Sequence, residues 1–156
     1  MIEHSKEYTE AFNAFKISLK EHHLKCTVQR EIVFEILYHA GEALTIDQLH
    51  RLCLDKYPYI RVGMTTVYRT LWFLENAEMI TSFVLKTTNT QRFELKKDKY
   101  SIYCICNRCG FIGSYADKKI QSYEKKIAQR VECILQNSIL KLYGVCRTCS
   151  DLSNSH

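Results

Sequence analysis

No apolar run in the 156-residue chain approaches the roughly 18 residues that a membrane-spanning helix needs. The first residues, MIEHSKEYTEAF, are charged and amphipathic where a secretory leader would be apolar. A cytoplasmic protein with no membrane partner is the expectation. Glycine is scarce, at five residues, and none of them builds a loop of the kind that cradles phosphates. A Ser/His/acid pattern is also missing, so an enzyme is not expected and no small-molecule substrate is evident. Histidine is confined to positions 4, 22, 23, 39, 50 and 156, which leaves residues 51–155 without an imidazole. A nitrogen-rich Fe²⁺ or Mn²⁺ site needs imidazole and carboxylate ligands together. There is no internal repeat and no low-complexity tract.

What the chain does have is an unusual number of cysteines, eight, in a composition otherwise ordinary for a soluble protein. Disulfides are disfavoured in the cytosol, and the arrangement of the cysteines explains half of them. Cys106-Asn-Arg-Cys109-Gly and Cys146-Arg-Thr-Cys149 are two CxxC knuckles with 36 residues between them. A tight turn between two cysteines aims both thiolates at one point, and two such turns supply a tetrahedral four-sulfur set for one structural Zn²⁺. A redox CxxC is the competing reading, but the two pairs match in form and Gly110 and Gly144 flank them. Cys26, Cys53, Cys104 and Cys133 stand alone and read as buried small hydrophobes.

The net charge of +5 is unevenly distributed. Residues 1–80 hold nine Lys and Arg against eleven Asp and Glu, and residues 81–156 hold thirteen against six. Nucleic-acid binding by the first half must therefore come from locally placed cations, Lys25, Arg30, Arg61 and Arg69.

Along the chain, Glu7–Lys20 reads as a helix with Tyr8, Ala11, Phe12, Phe15 and Leu19 near one face. Thr27 is an N-cap candidate for a second helix carrying Ile32, Val33, Ile36 and Leu37. Thr45 or its neighbour opens a third, with Ile46, Leu49, Leu52 and Cys53 inward, closing near Tyr57-Pro58. In the fourth, GMTTVYRTLWFLENAEMI (63–80), Val67, Leu71 and Leu74 share one face. The opposite face carries Thr65, Tyr68, Arg69 and Trp72. Such a set can reach phosphates, base edges and thymine methyls, although aromatics packed on a neighbouring element would show the same wheel. Two strands follow, Met79–Leu85 and Arg92–Leu95, joined by the polar tip KTTNTQ (86–91).

Three short helices, a decorated fourth and a strand pair are the order of a winged helix-turn-helix. Residues 1–95 form this DNA-binding domain, and the charged break at 96–99 is the linker. In residues 100–150, Tyr100–Cys106 and Phe111–Tyr115 read as strands flanking the first knuckle. Asp117 caps a helix with Ile120, Ile127, Ala128 and Val131 inward, and Cys133–Tyr143 reads as a last strand. The tail, 151–156, reads as disordered. The fold class is therefore α+β, with a small α/β domain stapled by a four-cysteine zinc site after the winged helix.

LKCTVQREIV (24–33), VGMTTVYRTLWFLENAEMI (62–80), QRFEL (91–95), CNRCG (106–110) and LYGVCRTC (142–149) together resemble the ferric uptake regulator family. The resemblance implies a C-terminal dimerisation domain and a homodimeric regulator, a repressor, on a palindromic operator in double-stranded DNA. It implies DNA contacts from Lys25, Tyr68 and Arg69, with Thr65 and Arg30 nearby. Tyr68 would touch bases, and Arg69 and Lys25 would serve phosphate or the minor groove. Cys106, Cys109, Cys146 and Cys149 match the family's structural zinc site. The family's regulatory metal ligands are a different matter. Its His-His-Asp-His-like run falls here on Tyr100, Ser101, Ile102 and Tyr103. Its other ligands fall on Ala43, Ser114, Gln121 and Ser138, so that only Glu94 survives, and it reads as a surface or interface carboxylate. No regulatory iron or manganese site is therefore expected. Two alternatives stay open: a zinc-stapled RNA-binding or protein-interaction module, favoured by the basic second half, and a thiol-redox regulator using Cys104 or the zinc thiolates.

Overall fold

A computed structural model describes residues 5–86, 88–96 and 100–151. The end of the tail and most of the linker lie outside the described residues, as do Thr87 in the hairpin tip and the side chain of Tyr100. The element order is α1 (Lys6–Glu21), α2 (Val28–His39), α3 (Ile46–Lys56), α4 (Met64–Asn76), β1 (Ile80–Leu85), β2 (Thr90–Leu95), β3 (Tyr100–Cys106), β4 (Ile112–Tyr115), α5 (Lys118–Arg130), β5 (Ser138–Gly144) and α6 (Arg147–Asp151). The chain divides into two compact units, one of residues 1–84 with 90–95 and one of residues 85–89 with 96–156.

The helices of the first unit start where side chains satisfy orphan backbone donors. Ser5 accepts from the Tyr8 N–H, Thr27 from that of Arg30 and Thr45 from that of Gln48, whose side-chain oxygen accepts in turn from the Thr45 N–H to complete a capping box. Phe15, Val33, Phe34, Leu49, Cys53, Val67 and Leu74 are fully buried between the helices. Phe15 and Phe34 stack with centroids 4.5 Å apart. The strands β1 and β2 form a two-stranded sheet, and a short antiparallel bridge between Leu44 and Phe93 adds backbone pairing of which the sequence pattern gives no sign. Both strands differ from expectation by a residue or two, because the pairing extends back through Thr90 and Gln91 and shortens the tip. Leu52, expected inward, is exposed, since Leu49 and Cys53 alone fill the inner face of α3.

In the second unit the sheet order is β4-β3-β5, with β3 antiparallel to β4 and parallel to β5. The parallel return is made through α5, which Asp117 caps by accepting from the N–H groups of Lys119 and Ile120. Three expectations need correction here. The last strand begins at Ser138, not Cys133, because residues 133–137 have no regular structure. Of the apolar face of α5 only Ala128 is buried, while Ile127 and Val131 are 61% and 71% exposed. Asp151, expected to begin a disordered tail, completes α6.

Candidate nucleic-acid interface and metal centre

Helix α4 has two faces with different fates. Val67, Leu71, Phe73 and Leu74 are buried, and Thr70 joins them because its hydroxyl donates to the Thr66 carbonyl at 2.7 Å. That internal bond removes the cost of burying a hydroxyl. The other face, Thr65, Tyr68, Arg69 and Trp72, is exposed, with Tyr68 at 60% and Trp72 at 61%. An indole and a phenol of this exposure are not packed on a neighbour within the unit. Gly63 is the N-cap, and no acidic side chain sits in the first turn of α4, so nothing there opposes an approaching phosphate.

Lys25 and Arg30 meet at the start of α2. The Arg30 guanidinium donates to the Lys25 carbonyl, which braces the loop beneath an exposed Lys25 side chain. Arg30 is half-buried, so its first role is to hold this loop. The contact between Cys26 and Glu31, Sγ to Oε1 at 3.1 Å, is a detail of which helical periodicity gives no sign. Burial, then that hydrogen bond, pushes the Cys26 thiol up to about 11, so it is a poor nucleophile.

The four knuckle cysteines converge. Their sulfur atoms all lie within 4.8 Å of one another, and Cys109 and Cys146 are 3.7 Å apart. Backbone bonds shape both turns. Gly110 donates to the Cys106 carbonyl at 3.0 Å with φ of +73°, a conformation that a side chain would strain. Ser150 donates to the Cys146 carbonyl at 2.9 Å. Between the knuckles, Asn107 N–H reaches the Gly144 carbonyl at 2.8 Å, and the Arg108 guanidinium reaches the Cys149 carbonyl at 2.8 Å. Sequence reasoning misses this bridging role of Arg108, since its partner is 41 residues away.

The electrostatics of this cluster call for a cation. Backbone N–H donors from Cys109 and Cys146 hold the Cys106 thiol down at about 6, with the Cys146 N–H at 3.3 Å. Hydrogen bonding to Cys146 pushes Cys149 up to about 12. Four sulfurs this close cannot all be thiolates unless a positive ion sits among them. The donor set and its spacing fit Zn²⁺, and it is closed, with four sulfurs and no open position.

Of the isolated cysteines only Cys53 is buried as expected; Cys26, Cys104 and Cys133 are exposed. Cys26 sits in the loop before α2, and Cys133 lies in the irregular stretch before β5. Cys104 opens on a shallow cleft of about 220 Å³ that it shares with Cys106, Phe111, Leu142, Tyr143 and Cys146. Glu94 is also not on the surface. It is 9% exposed, and its neighbour Phe93 is buried too, so β2 is covered on both faces at that point. Ala43, Ile102 and Tyr103, where the resemblance places metal ligands, are buried, and the Ser138 hydroxyl bonds Glu124 at 2.7 Å.

The model of the ferric uptake regulator family matches residues 21–143. Among curated relatives, the ferric uptake regulation protein of Campylobacter upsaliensis is 34% identical over 150 residues, covering 96% of each chain. Among solved structures, the Helicobacter pylori ferric uptake regulator, which has three functional metal-binding sites, is 25% identical with a TM-score of 0.72, covering 91% of this chain and 93% of that one. The Vibrio cholerae ferric uptake regulator, whose DNA-binding domains rearrange, is 28% identical with a TM-score of 0.64, covering 83% and 97%.

Proposed function

The chain belongs to the ferric uptake regulator family, and on that premise we propose that it is a zinc-stapled homodimeric repressor, binding palindromic operators without the family's iron or manganese switch. It is a DNA-binding transcription regulator, not an enzyme. No helix among the described residues is long and apolar enough to cross a membrane, and a cytoplasmic location follows from operator binding.

The observation that carries this reading is the exposed face of α4. Thr65, Tyr68, Arg69 and Trp72 stand in solvent while the opposite face fixes the helix in the core. In the proposed complex Tyr68 reads base edges. Arg69 and Lys25 take phosphates or the minor groove, Thr65 donates to phosphate, and Arg30 holds the Lys25 loop. Residues 1–95 are the winged-helix domain, 96–99 the linker and 100–150 the dimerisation domain. The exposed apolar side chains of α5 and of β5, an edge strand, support pairing with a second copy.

Cys106, Cys109, Cys146 and Cys149 are the proposed zinc ligands, and the ion's contribution is structural because the set is closed. Loss of the metal switch rests on ligand chemistry. Where the Helicobacter protein has three functional metal sites, this chain has no histidine between 51 and 155. Buried Ile102 and Tyr103 occupy positions that the resemblance assigns to ligands. A thiol-responsive variant of the same function is favoured by the exposure of Cys104 in a cleft bordered by two zinc ligands.

The test is binding of the zinc-loaded protein to a selected operator at one fixed salt concentration, with and without Fe²⁺ or Mn²⁺. Equal, tight binding in both is expected. Binding that appears only with added metal overturns the loss of the switch.

A further inference from the structure

Resting on the DNA-binding reading above, we propose that the basic arc of α5 is a second DNA contact, one that grips phosphates without reading sequence. At 100° per residue, Lys118, Lys125 and Gln129 fall on one flank of the helix opposite Ile120 and Ile127. Lys119, Ser122, Lys126 and Arg130 lie on its outer side. All seven are exposed. The arc therefore presents five cations and no carboxylate. The one acid of the helix, Glu124, is turned away from the arc to accept from the Ser138 hydroxyl of β5 at 2.7 Å.

Helix stability accounts for Arg130 in the last turn but not for the rest of this pattern. Lys118 and Lys119 stand in the first turn, where the helix dipole disfavours cations, and no acid shares that turn. Lys126 and Arg130 are like charges at i,i+4, which also weakens a helix. Lys126 lies over the Tyr123 ring, 5.4 Å from its centroid, so its head stays on the outer side.

The rest of the chain supplies the need. Residues 1–80, which hold the recognition helix, carry more acids than bases, whereas affinity for DNA is dominated by phosphate neutralisation. The local cations Lys25, Arg30, Arg61 and Arg69 are few, so further cations elsewhere in the molecule add to the grip on phosphates, and α5 offers five. An acidic protein segment would match the same charge, but the partner that this family member must hold is a polyanion.

The experiment compares full-length, zinc-loaded protein with the variant Lys119→Gln/Lys126→Gln/Arg130→Gln on an operator duplex and on a random duplex of equal length. Affinity is measured across salt concentrations above about 0.1 M, where the Debye length is about 10 Å or less and remote charges are screened. The slope of log K against log[salt] should become shallower by roughly 0.9 for each phosphate that the variant no longer neutralises. Both duplexes should weaken alike, leaving their affinity ratio unchanged. Exchanging the same residues between Lys and Arg should restore the slope, which separates charge from folding. An unchanged slope in the Gln variant overturns the proposal. If wild-type protein binds no duplex, the DNA reading itself fails, a different and distinguishable result.

Discussion

At the scale of single residues, neighbouring positions on α4 should separate stability from binding. Leu71 is buried among the helices, and Leu71→Ala should cost about 2–5 kcal/mol of folding stability, because packing around the missing side chain is forfeited and a cavity remains. Tyr68 and Arg69 are exposed. Tyr68→Ala and Arg69→Ala should leave the denaturation midpoint nearly unchanged and each weaken operator binding, by roughly 1–3 kcal/mol where the side chain reads a base. Equal loss of stability in the surface and core variants would show that the outer face is structural. Trp72, the single tryptophan, lies on the same outer face, so its emission should shift when operator DNA is added. Glu35 offers a test in pH. Burial alone would raise its carboxyl, but hydrogen bonds from Lys56 Nζ and the Tyr57 hydroxyl, both 2.7 Å, more than offset it and hold it below its ordinary value. A carboxylate lowered on folding stabilises the native state above its unfolded pKa. That contribution fades as pH falls from near the ordinary value of about 4.3 through the lower folded one. Urea midpoints against pH should therefore drop less steeply on the acid side in Glu35→Gln. Parallel profiles for the two proteins would remove Glu35 from the account.

At the scale of elements, the helices of the first unit are legible in the sequence because each start carries a chemical mark. Thr27 and Thr45 cap α2 and α3 as their sequence positions suggest, and the inner stripe of α4 is buried as its spacing requires. The knuckles are legible for a similar reason, since Cys-x-x-Cys is a local geometry, and the four sulfurs do converge. Legibility ends where a residue's surroundings come from distant chain. Periodicity marks Ile127 and Val131 as an apolar face but not what covers them, and among the described residues they stay 61% and 71% exposed. Glu94 reads as a surface or interface carboxylate, yet within the chain it and Phe93 beside it are both buried. Cys104 and Cys133 are small and apolar enough for a core but lie at the surface. The metal centre yields its own prediction. A unit of this size has little core of its own, so a zinc ion held by the two knuckles would supply a large share of its folding free energy. Removing zinc with a strong chelator, or Cys109→Ser, should abolish cooperative unfolding of β3–β5 and α5, as read by loss of amide-exchange protection there. The helices of the first unit, with their separate core, should keep most of theirs. Uniform loss of protection in both units would mean that the metal supports the whole chain.

At the scale of the whole molecule, the division of labour follows from charge and apolar surface. The first unit packs Tyr8, Phe15, Phe34, Phe73 and Phe93 into a core of its own. The second exposes Tyr115, Tyr123, Ile127, Val131, Ile134, Leu142 and Tyr143. Strand β5 lies at the edge of its sheet among the described residues, a position that soluble proteins cover or charge. The homodimer proposed above would cover both features at once, and its twofold symmetry would place two α4 helices for two half-sites of a palindrome. Ile127→Glu/Val131→Glu places two carboxylates in the proposed interface without touching a buried residue of the monomer. Sedimentation should show a dimer for the parent chain at micromolar concentration and a monomer for the variant. Zinc content should stay the same, because the four cysteines are untouched. Operator affinity should fall steeply while binding to a half-site duplex persists, since each α4 face remains intact and only the linkage between two of them is broken. A variant that remains dimeric would place the interface elsewhere on the second unit. A parent chain that is monomeric yet binds a palindrome as tightly as two half-sites predict would remove the symmetric dimer altogether.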